Sequence, residues 1–294
     1  MGEKIKSSQR IQAFSIRSCS VGTTLLDYLK SLDTEKSSTQ IKSALDLGAC
    51  RINGSIERFG KRVLVLGDRV KVDIDFAHRI KQNTPKKELK ILYEDESVLI
   101  LNKPVGLVVD KQSIQAFLSK NLFLVHRLDK ATSGALCLAK TSIAQKAMET
   151  LFKKRQINKA YLAVVCGNLT QKEGVRKTFL APLQTFDGQT LYGSKKGREV
   201  NAITRFHKVS SSSNKKFSTL WCQIETGKTH QIRVHLKEIG HPIVGDLLYG
   251  READYPLEVD QMLLHSYKVA FENPISKKKI EVTAPMRKAF KAFL

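Results

Sequence analysis

One carboxylate of this chain stands among cations in sequence, just ahead of a turn. Residues 126–134 read HRLDKATSG, so Asp129 follows Arg127 by two positions and directly precedes Lys130. Neighbouring cations favour the ionised form of a carboxylate, which can act as a nucleophile or as a base. The alternative is that Asp129 only caps the turn by accepting backbone N–H bonds, as turn aspartates commonly do.

The sequence on each side of this segment predicts the elements that position it. An apolar run at 122–125 precedes it and another at 135–139 follows it. This pattern predicts strand, polar turn and strand, with Asp129 on the turn. A rigid sheet holds loop residues at fixed geometry, and catalytic residues are common in such loops. The local pattern leaves both interpretations of Asp129 open, and the rest of the chain has to decide between them.

The chain is strongly basic along its whole length. Its 294 residues contain 50 Lys and Arg against 28 Asp and Glu, which gives a formal net charge of +22. A field of this size attracts polyanions, and it exceeds the charge that solubility requires of a domain. The composition therefore favours a nucleic-acid partner over solubility alone.

The cysteines and the hydropathy pattern predict a compartment. Five cysteines are scattered without a C-x-x-C pair, which favours buried thiols in a reducing compartment. No apolar run has the length of a membrane span or of a secretory signal, so we expect a cytoplasmic protein without a membrane partner. The basic, Ser-containing residues 1–20 leave an organelle transit peptide as an alternative. The cysteines are Cys19, Cys50, Cys137, Cys166 and Cys222.

A polar stretch divides the chain into two predicted domains. Residues 81–90, KQNTPKKELK, are charged and contain one proline, so we predict a linker there between domains at 1–80 and 91–294. Strands in the second domain do not alternate regularly with helices, which argues against a doubly wound parallel sheet. We predict an α+β fold with a mixed, largely antiparallel β-sheet flanked by helices and loops. The predicted strands lie at 97–101, 122–125, 135–139, 161–166, 203–209 and 219–224, and the predicted helices at 143–155 and 229–239.

The first predicted domain combines two helices with short strands around Asn-Gly and Gly-Asp turns. Over about residues 21–75 this small α+β arrangement resembles the RNA-binding module first seen in ribosomal protein S four. The resemblance implies a basic groove for structured RNA, with Lys42, Arg51 and Arg58 near it. The alternative is a small α+β domain without a ligand. The helices are predicted at 24–29 and 40–47, and the strands at 50–52, 63–66 and 70–72.

Five motifs of the second domain occur in one order along about residues 90–290. In that order they resemble the RluA-type pseudouridine synthases. The resemblance implies an isomerase that converts chosen uridines of ribosomal or transfer RNA to pseudouridine, and many members acting on large-subunit ribosomal RNA carry a similar first domain. Because isomerisation involves no net hydrolysis or redox change, we expect no cofactor and no metal. The motifs are LNKPVGL at 101–107, HRLDKATSG at 126–134, KAYLAV at 159–164, GKTHQIRVHL at 227–236 and LHS at 264–266.

The resemblance assigns roles to residues by position. Asp129 matches the catalytic aspartate that is required to break the glycosidic bond of uridine and to rejoin the sugar to ring carbon five. Arg233 matches the arginine that pairs with this carboxylate. Tyr161 matches the tyrosine that packs beside uracil and helps proton removal from carbon five, and Arg127 matches the side chain that holds the target base out of its stack. Further RNA contacts are predicted for His126, Lys130, Lys103, Lys228, His230 and Gln231.

Two other classes of protein would also be basic and could also contain Asp129. A metal-dependent ribonuclease needs several clustered carboxylates, but Asp110 and Asp129 are the only acidic residues between positions 97 and 148. The histidines of 230–241 also lack the spacing of a helical zinc site. An RNA-binding assembly factor without activity stays open, because a degenerate enzyme can keep its motifs. We expect a monomer.

Overall fold

The chain forms two compact units, which are described separately. They are Met1–Lys86 with Thr185–Thr190, and Lys87–Gln184 with Leu191–Leu294. The predicted linker at 81–90 lies outside the described residues except for its last two, and Cys19 and Arg58 lie outside them as well. No helix in the described ranges is long and apolar enough to cross a membrane. This computed structural model describes residues 12–15, 20–32, 37–46, 49–57, 59–72, 89–118, 121–186, 189–246, 248–250 and 261–293.

The smaller unit packs two helices against a four-stranded sheet. The strand order is β1-β4-β2-β3, and the neighbouring strands are antiparallel. Leu25 and Leu29 of α1 are four positions apart, as are Ile41 and Leu45 of α2, so each pair lies on one helix face and is buried. The elements are β1 (Gln12–Ser15), α1 (Leu25–Leu32), α2 (Ser38–Asp46), β2 (Cys50–Ile52), β3 (Ser55–Ile56) and β4 (Arg69–Val72).

The strand predicted at 63–66 in this unit is wrong. Val63 forms only an isolated bridge with Thr24. The N–H of Val65 donates to Asp68 Oδ2 at 3.1 Å, so a turn carboxylate accepts the bond that a neighbouring strand would have accepted. Val65 and Leu66 are 52% and 69% exposed. Leu64 is fully buried in the core of this unit, so a single apolar residue of the segment is covered and not a strand face.

The larger unit is built on one eleven-stranded sheet. Its order is β11-β10-β12-β13-β9-β14-β8-β6-β5, with β15 paired to β14 and β7 paired to β8. Strands β14 and β8 are parallel, whereas β6–β8, β9–β13, β12–β13 and β9–β14 are antiparallel. The predicted α+β class with a mixed, largely antiparallel sheet is confirmed. The strands are β5 (Lys90–Glu94), β6 (Val98–Lys103), β7 (Phe123–Leu124), β8 (Ser133–Ala139), β9 (Asn158–Cys166), β10 (Glu173–Phe186), β11 (Gln189–Lys195), β12 (Ala202–Ser211), β13 (Phe217–Ile224), β14 (Leu264–Glu272) and β15 (Lys279–Thr283).

Strand β8 lies at the centre of the core and leads away from the loop of Asp129. It is buried along its whole length. Leu136 and Leu138 belong to one apolar cluster and Cys137 to another, so both faces of the strand are covered. A strand covered on both faces reads as a continuous apolar run. The helices of this unit are α3 (Lys111–Leu118), α4 (Ser142–Lys153), α5 (Gln231–Glu238) and α6 (Lys288–Lys291).

Several elements of the larger unit were not predicted from the sequence, among them helix α3 and the hairpin of β10 and β11. Helix α3 follows Asp110, whose Oδ1 accepts the N–H of Ser113 at 2.7 Å and caps the helix. Strands β10 and β11 form a long hairpin whose residues are mostly exposed or half-buried, and β10 contains Pro182. Proline argues against a strand assignment. The hairpin was therefore missed because its pairing, and not an alternation of apolar residues, defines it.

Candidate active site

Asp129 lies in the loop between β7 and β8, with its carboxylate directed to a cation. The backbone closes the turn, because the N–H of Thr132 donates to the carbonyl oxygen of Asp129 at 3.0 Å. The side-chain Oδ2 accepts from Arg233 Nη1 at 3.1 Å, and the side chain keeps 25% exposure. The carboxylate is thus held by a guanidinium and stays accessible, which differs from the geometry of a simple turn cap.

Arg233 is the central cation of the site. It lies in the first turn of α5 and is 7% exposed. Its Nε and Nη2 donate to the two carboxylate oxygens of Asp246 at 2.7 and 2.9 Å, which leaves Nη1 for Asp129. The guanidinium carbon also lies 5.0 Å from the ring centre of Tyr249. The two-pronged contact fixes the plane of the guanidinium and therefore the direction of Nη1.

Asp246 was not predicted from the sequence. It is buried and also accepts the N–H groups of Leu248 and Tyr249. Burial acts to raise the pKa of Asp246, but the Arg233 guanidinium and these N–H donors lower it below its ordinary value. For Arg233, burial acts to lower the pKa, and the carboxylates of Asp246 and Asp129 raise it above its ordinary value. The signal that could have found Asp246 is a single carboxylate inside the otherwise apolar segment 242–249.

Tyr161 lies on β9 between the neighbouring strands β13 and β14. It is buried and lies opposite Cys222 and Ser266 in the sheet. Burial is the main cause that raises the pKa of Tyr161, and the negative charge of Asp129 adds to it. The phenol therefore keeps its proton near neutral pH. This geometry favours packing beside a base over unassisted proton removal.

Lys103 does not contact the surface, so the predicted RNA contact of this residue is wrong. The side chain is fully buried at the end of β6. Its Nζ donates to the carbonyl oxygens of Pro104, Leu107 and Lys130 at 2.9, 2.8 and 3.2 Å. Burial lowers the pKa of Lys103 to about 7. Lys103 instead supports the loop on which Asp129 lies, because Lys130 is the next residue.

His126, for which an RNA contact was predicted, is half-buried and makes contacts within the protein. Its Nε2 accepts the N–H of Cys137 at 2.9 Å, and its ring stacks on Phe152 with the centres 4.7 Å apart. Burial lowers the pKa of His126 to about 3, so the ring carries no charge for a phosphate at neutral pH. These contacts anchor the beginning of the Asp129 loop to β8 and α4.

Gln231 is likewise buried, and the predicted RNA contact of this residue is wrong. Its Oε1 accepts from Thr226 Oγ1 at 2.7 Å and from the N–H of Lys228 at 3.1 Å. Its Nε2 donates to the carbonyl oxygen of Ile203 at 2.9 Å and to Thr204 Oγ1 at 3.1 Å. The amide thus fixes the start of α5 against β12, which places Arg233 two residues later.

The remaining predicted contacts lie at or near the surface. Arg127 and Lys130 are exposed on either side of Asp129, and Lys228 is exposed just before α5. His230 Nε2 lies 3.9 Å from Asp129 Oδ2. Arg127 and Lys130 thus flank Asp129 in its loop, and Lys228 and His230 precede Arg233 in the chain. In the smaller unit, Lys42 on α2 is exposed and Arg51 on β2 is half-buried.

The arrangement provides an accessible carboxylate, a permanent cation that orients it, and a buried aromatic ring. In this arrangement the carboxylate can act on a substrate as a nucleophile or as a base. Within the described ranges, no group of three or more His, Cys, Asp or Glu side chains is placed to hold a metal ion.

Comparison with known proteins identifies the family. A profile of the RNA pseudouridylate synthase family matches residues 97–238, a range that contains Asp129, Tyr161 and Arg233. A relative from Synechocystis, an uncharacterised RNA pseudouridine synthase, is 31% identical over 97% of this chain and 92% of its own length. The ribosomal large subunit pseudouridine synthase D of Zymomonas mobilis is 32% identical over 90% of this chain and 91% of its own length. The chain belongs to the RNA pseudouridine synthase family.

A solved structure supports the assignment of this chain to the pseudouridine synthase family. The human RNA pseudouridylate synthase domain containing 1 protein is 26% identical, with a TM-score of 0.60 over 71% of this chain and 87% of that chain. The predicted RluA-type membership and isomerase activity on RNA uridines are confirmed. The roles of individual site residues stay predictions.

Proposed function

We propose that this pseudouridine synthase isomerises specific uridines of large-subunit ribosomal RNA and that Asp129 is its catalytic residue. The observation that carries the proposal is the accessible Asp129 carboxylate bonded to a guanidinium that Asp246 fixes. Relatives named ribosomal large subunit pseudouridine synthase D, from Zymomonas mobilis and Vibrio cholerae, support the substrate class. The net charge of +22 fits a polyanionic partner.

The reaction conserves the atoms of uridine. The bond between ribose C1′ and uracil N1 breaks, the uracil turns, and C1′ bonds to C5. The proton of C5 leaves and N1 gains one, so nothing is oxidised and no group is lost. Asp129 serves this exchange as a carboxylate at the sugar and the base, and the hydrogen bond from Arg233 Nη1 orients it. The buried phenol of Tyr161 packs beside the uracil.

The target uridine must leave its helix or stack before Asp129 reaches its sugar. Arg127 and Lys130 are exposed next to Asp129, so they are placed for phosphates or for the position that the base vacates. Lys228 and the smaller unit, with Lys42 and Arg51, add cations for the RNA backbone. A cytoplasmic location and a monomeric state stay predictions.

The test measures tritium release from RNA labelled at carbon five of uridine. Unmodified large-subunit ribosomal RNA and transfer RNA are offered to the wild-type protein, to Asp129→Asn and to Asp110→Asn. We expect release from ribosomal RNA by the wild type, a loss of at least about 10³-fold in Asp129→Asn, and normal release in Asp110→Asn. The last variant is a matched control, because asparagine also caps a helix.

Each other outcome contradicts one part of the proposal. Release from transfer RNA alone would replace the substrate class but keep Asp129 as the catalytic residue. Release that persists in Asp129→Asn would reject that residue. Tight binding of ribosomal RNA without any release would favour the non-catalytic assembly factor.

A further inference from the structure

A second side chain lies beside the carboxylate of Asp129, and its backbone is unusual. His230 directly precedes α5 with φ 58° and ψ 16°, in the left-handed region. A side chain other than glycine in this region costs about 1 kcal/mol or more, so the surroundings have to hold it. Tyr192 and Tyr249 do so, since their rings meet the imidazole edge to face with centres 5.5 and 5.4 Å away. This packing turns Nε2 toward Asp129 Oδ2, 3.9 Å away.

The hydrogen bonds around Tyr249 determine which nitrogen of His230 carries the proton. The backbone N–H of Tyr192 donates to Tyr249 Oη at 2.9 Å. Tyr249 Oη also lies 2.8 Å from His230 Nδ1. Burial raises the pKa of Tyr249 to about 12, so the phenol keeps its proton near neutral pH. Among the described residues, His230 Nδ1 is the acceptor within reach of the phenol proton, so we assign this proton to the bond with Nδ1, which accepts it.

The imidazole itself is neutral at working pH. Burial and the nearby Arg233 guanidinium lower the pKa of His230 to about 4, although Asp129 and Asp246 oppose the shift. A neutral imidazole that accepts at Nδ1 carries its one proton on Nε2. That N–H faces the site. At 3.9 Å it is too far from Asp129 Oδ2 for a hydrogen bond and leaves its donor for another oxygen.

We propose that His230 is a catalytic residue that presents a neutral Nε2–H donor to an oxygen of the reacting uridine, and that Tyr249 is the positioning residue that sets this tautomer. The inference rests on the proposed function of Asp129. When the bond between C1′ and N1 breaks, negative charge spreads over N1 and the carbonyl oxygens of the uracil. A fixed donor aimed at such an oxygen stabilises the charge where it develops. A neutral donor does so without competing with Arg233 for the Asp129 carboxylate.

The first test compares two amides at position 230. The nitrogen of glutamine falls near the place of Nε2, whereas the shorter asparagine cannot reach it but tolerates a left-handed backbone better. We expect His230→Asn to lower kcat for tritium release by about 10²-fold with little change in KM, and His230→Gln to restore about a tenth or more of the wild-type kcat. The same pair at His207, exposed on β12, should leave both constants unchanged.

The outcomes separate a donor role from a backbone role. If His230→Asn is as active as or more active than His230→Gln, the backbone conformation and not the donor matters, and the proposal is overturned. Because the wild type must release tritium before the variants are compared, a failed His230 comparison leaves the proposed function of Asp129 standing.

The second test removes only the phenol hydroxyl of the positioning residue. Tyr249→Phe keeps the ring against Arg233 and His230, so we expect kcat to fall about tenfold with KM for RNA unchanged. Nitrogen NMR of the imidazole should show the neutral Nε2–H form of His230 in the wild type near pH 7. An Nδ1–H form or an imidazolium in the wild type would overturn the proposal, as would an unchanged kcat in Tyr249→Phe with only a lower melting temperature.

Discussion

Two buried cations support the loop of Asp129, and they are held in different ways. Arg233 lies between the carboxylates of Asp129 and Asp246, whereas Lys103 donates to three backbone carbonyl oxygens. Burial favours loss of the proton from both. The carboxylates outweigh burial at Arg233 and raise its pKa, but burial dominates at Lys103 and lowers its pKa to about 7 despite the charge of Asp129. The cation on the reacting carboxylate is therefore permanent, and the cation on the loop backbone can titrate.

This difference assigns two tasks. A permanent, planar guanidinium can orient a carboxylate during a reaction because its own charge does not change with pH. A single ammonium has three donors, which match the three carbonyl oxygens that fix the backbone around Lys130. Removal of Arg233 and removal of Lys103 should therefore affect different measurements.

The largest effect is expected at Arg233. Arg233→Met leaves Asp246 as a buried carboxylate without its partner, which costs about 3–5 kcal/mol of unfolding free energy, and tritium release should be lost with it. Arg233→Lys keeps a charge without the planar fork, so it should unfold less easily than Arg233→Met and still release tritium slowly. Urea unfolding and tritium release measure both effects. An unchanged unfolding free energy in Arg233→Met would contradict the paired-charge account.

Asp246→Asn tests whether the anchor of the guanidinium matters to the reaction. The amide keeps the shape but offers one acceptor in place of two, so Arg233 loses its fixed plane. We expect kcat to fall by about 10–100-fold, as for other lost supporting partners, with unchanged affinity for RNA. Glu238→Gln is the matched control, because Glu238 lies on the same helix but bonds Ser194 and Arg176. Equal loss of kcat in both variants would show that the stability of α5 is the cause.

The sequence was sufficient to place the two reacting partners and insufficient to place their supports. Asp129 and Arg233 belong to motifs whose order identified the family, and the fold brings them within 3.1 Å although 104 positions separate them. Asp246 carries no such signal, because a carboxylate in an apolar segment is recognised as an anchor only when its partner is known. The burial of Arg233 and Asp246 depends on how α5 packs in the fold, and the hydrophobic periodicity of the sequence does not predict this packing.

Lys103 and Gln231 show the opposite error. Both are polar residues in family motifs of a basic chain, so RNA contacts were the natural prediction. A lysine is rarely buried, and sequence gives no measure of whether three carbonyl oxygens converge on its ammonium. Gln231 fills all four of its hydrogen bonds within the protein. Residue type therefore predicted polarity correctly but not whether the polar group faces RNA or the protein.

Lys103→Met should destabilise the protein less than the loss of Arg233. Three carbonyl oxygens lose their donor, which costs about 1–3 kcal/mol, but a buried charge is removed as well. The pH dependence identifies the cause. Because the pKa of Lys103 is about 7 when folded against 10.5 for an ordinary lysine, the unfolded chain binds the extra proton between these values. Stability from this group therefore increases as pH rises from about 7 to 10.

Urea unfolding of the wild type and of Lys103→Met across this range measures the difference. The unfolding free energy of the wild type should increase relative to that of the variant above pH 7, with no such change well below pH 7. Parallel curves over the whole range would show that the ammonium of Lys103 stays protonated, as Arg233 does, and would remove the contrast between the two cations.

The smallest effect on folding is expected from the cations of the smaller unit, where charge acts at the surface. Lys42→Gln with Arg51→Gln should change the unfolding free energy by no more than about 0.5 kcal/mol for each residue. Each lost phosphate contact lowers the slope of log affinity against log salt by about 0.7–0.9, so we expect a change near 1.5 for ribosomal RNA. The matched control is Lys146→Gln with Lys153→Gln, which removes the same charge from exposed positions on α4. If both double variants reduce the slope equally, net charge alone attracts the RNA, and the groove proposed for Lys42 and Arg51 has no separate part in binding.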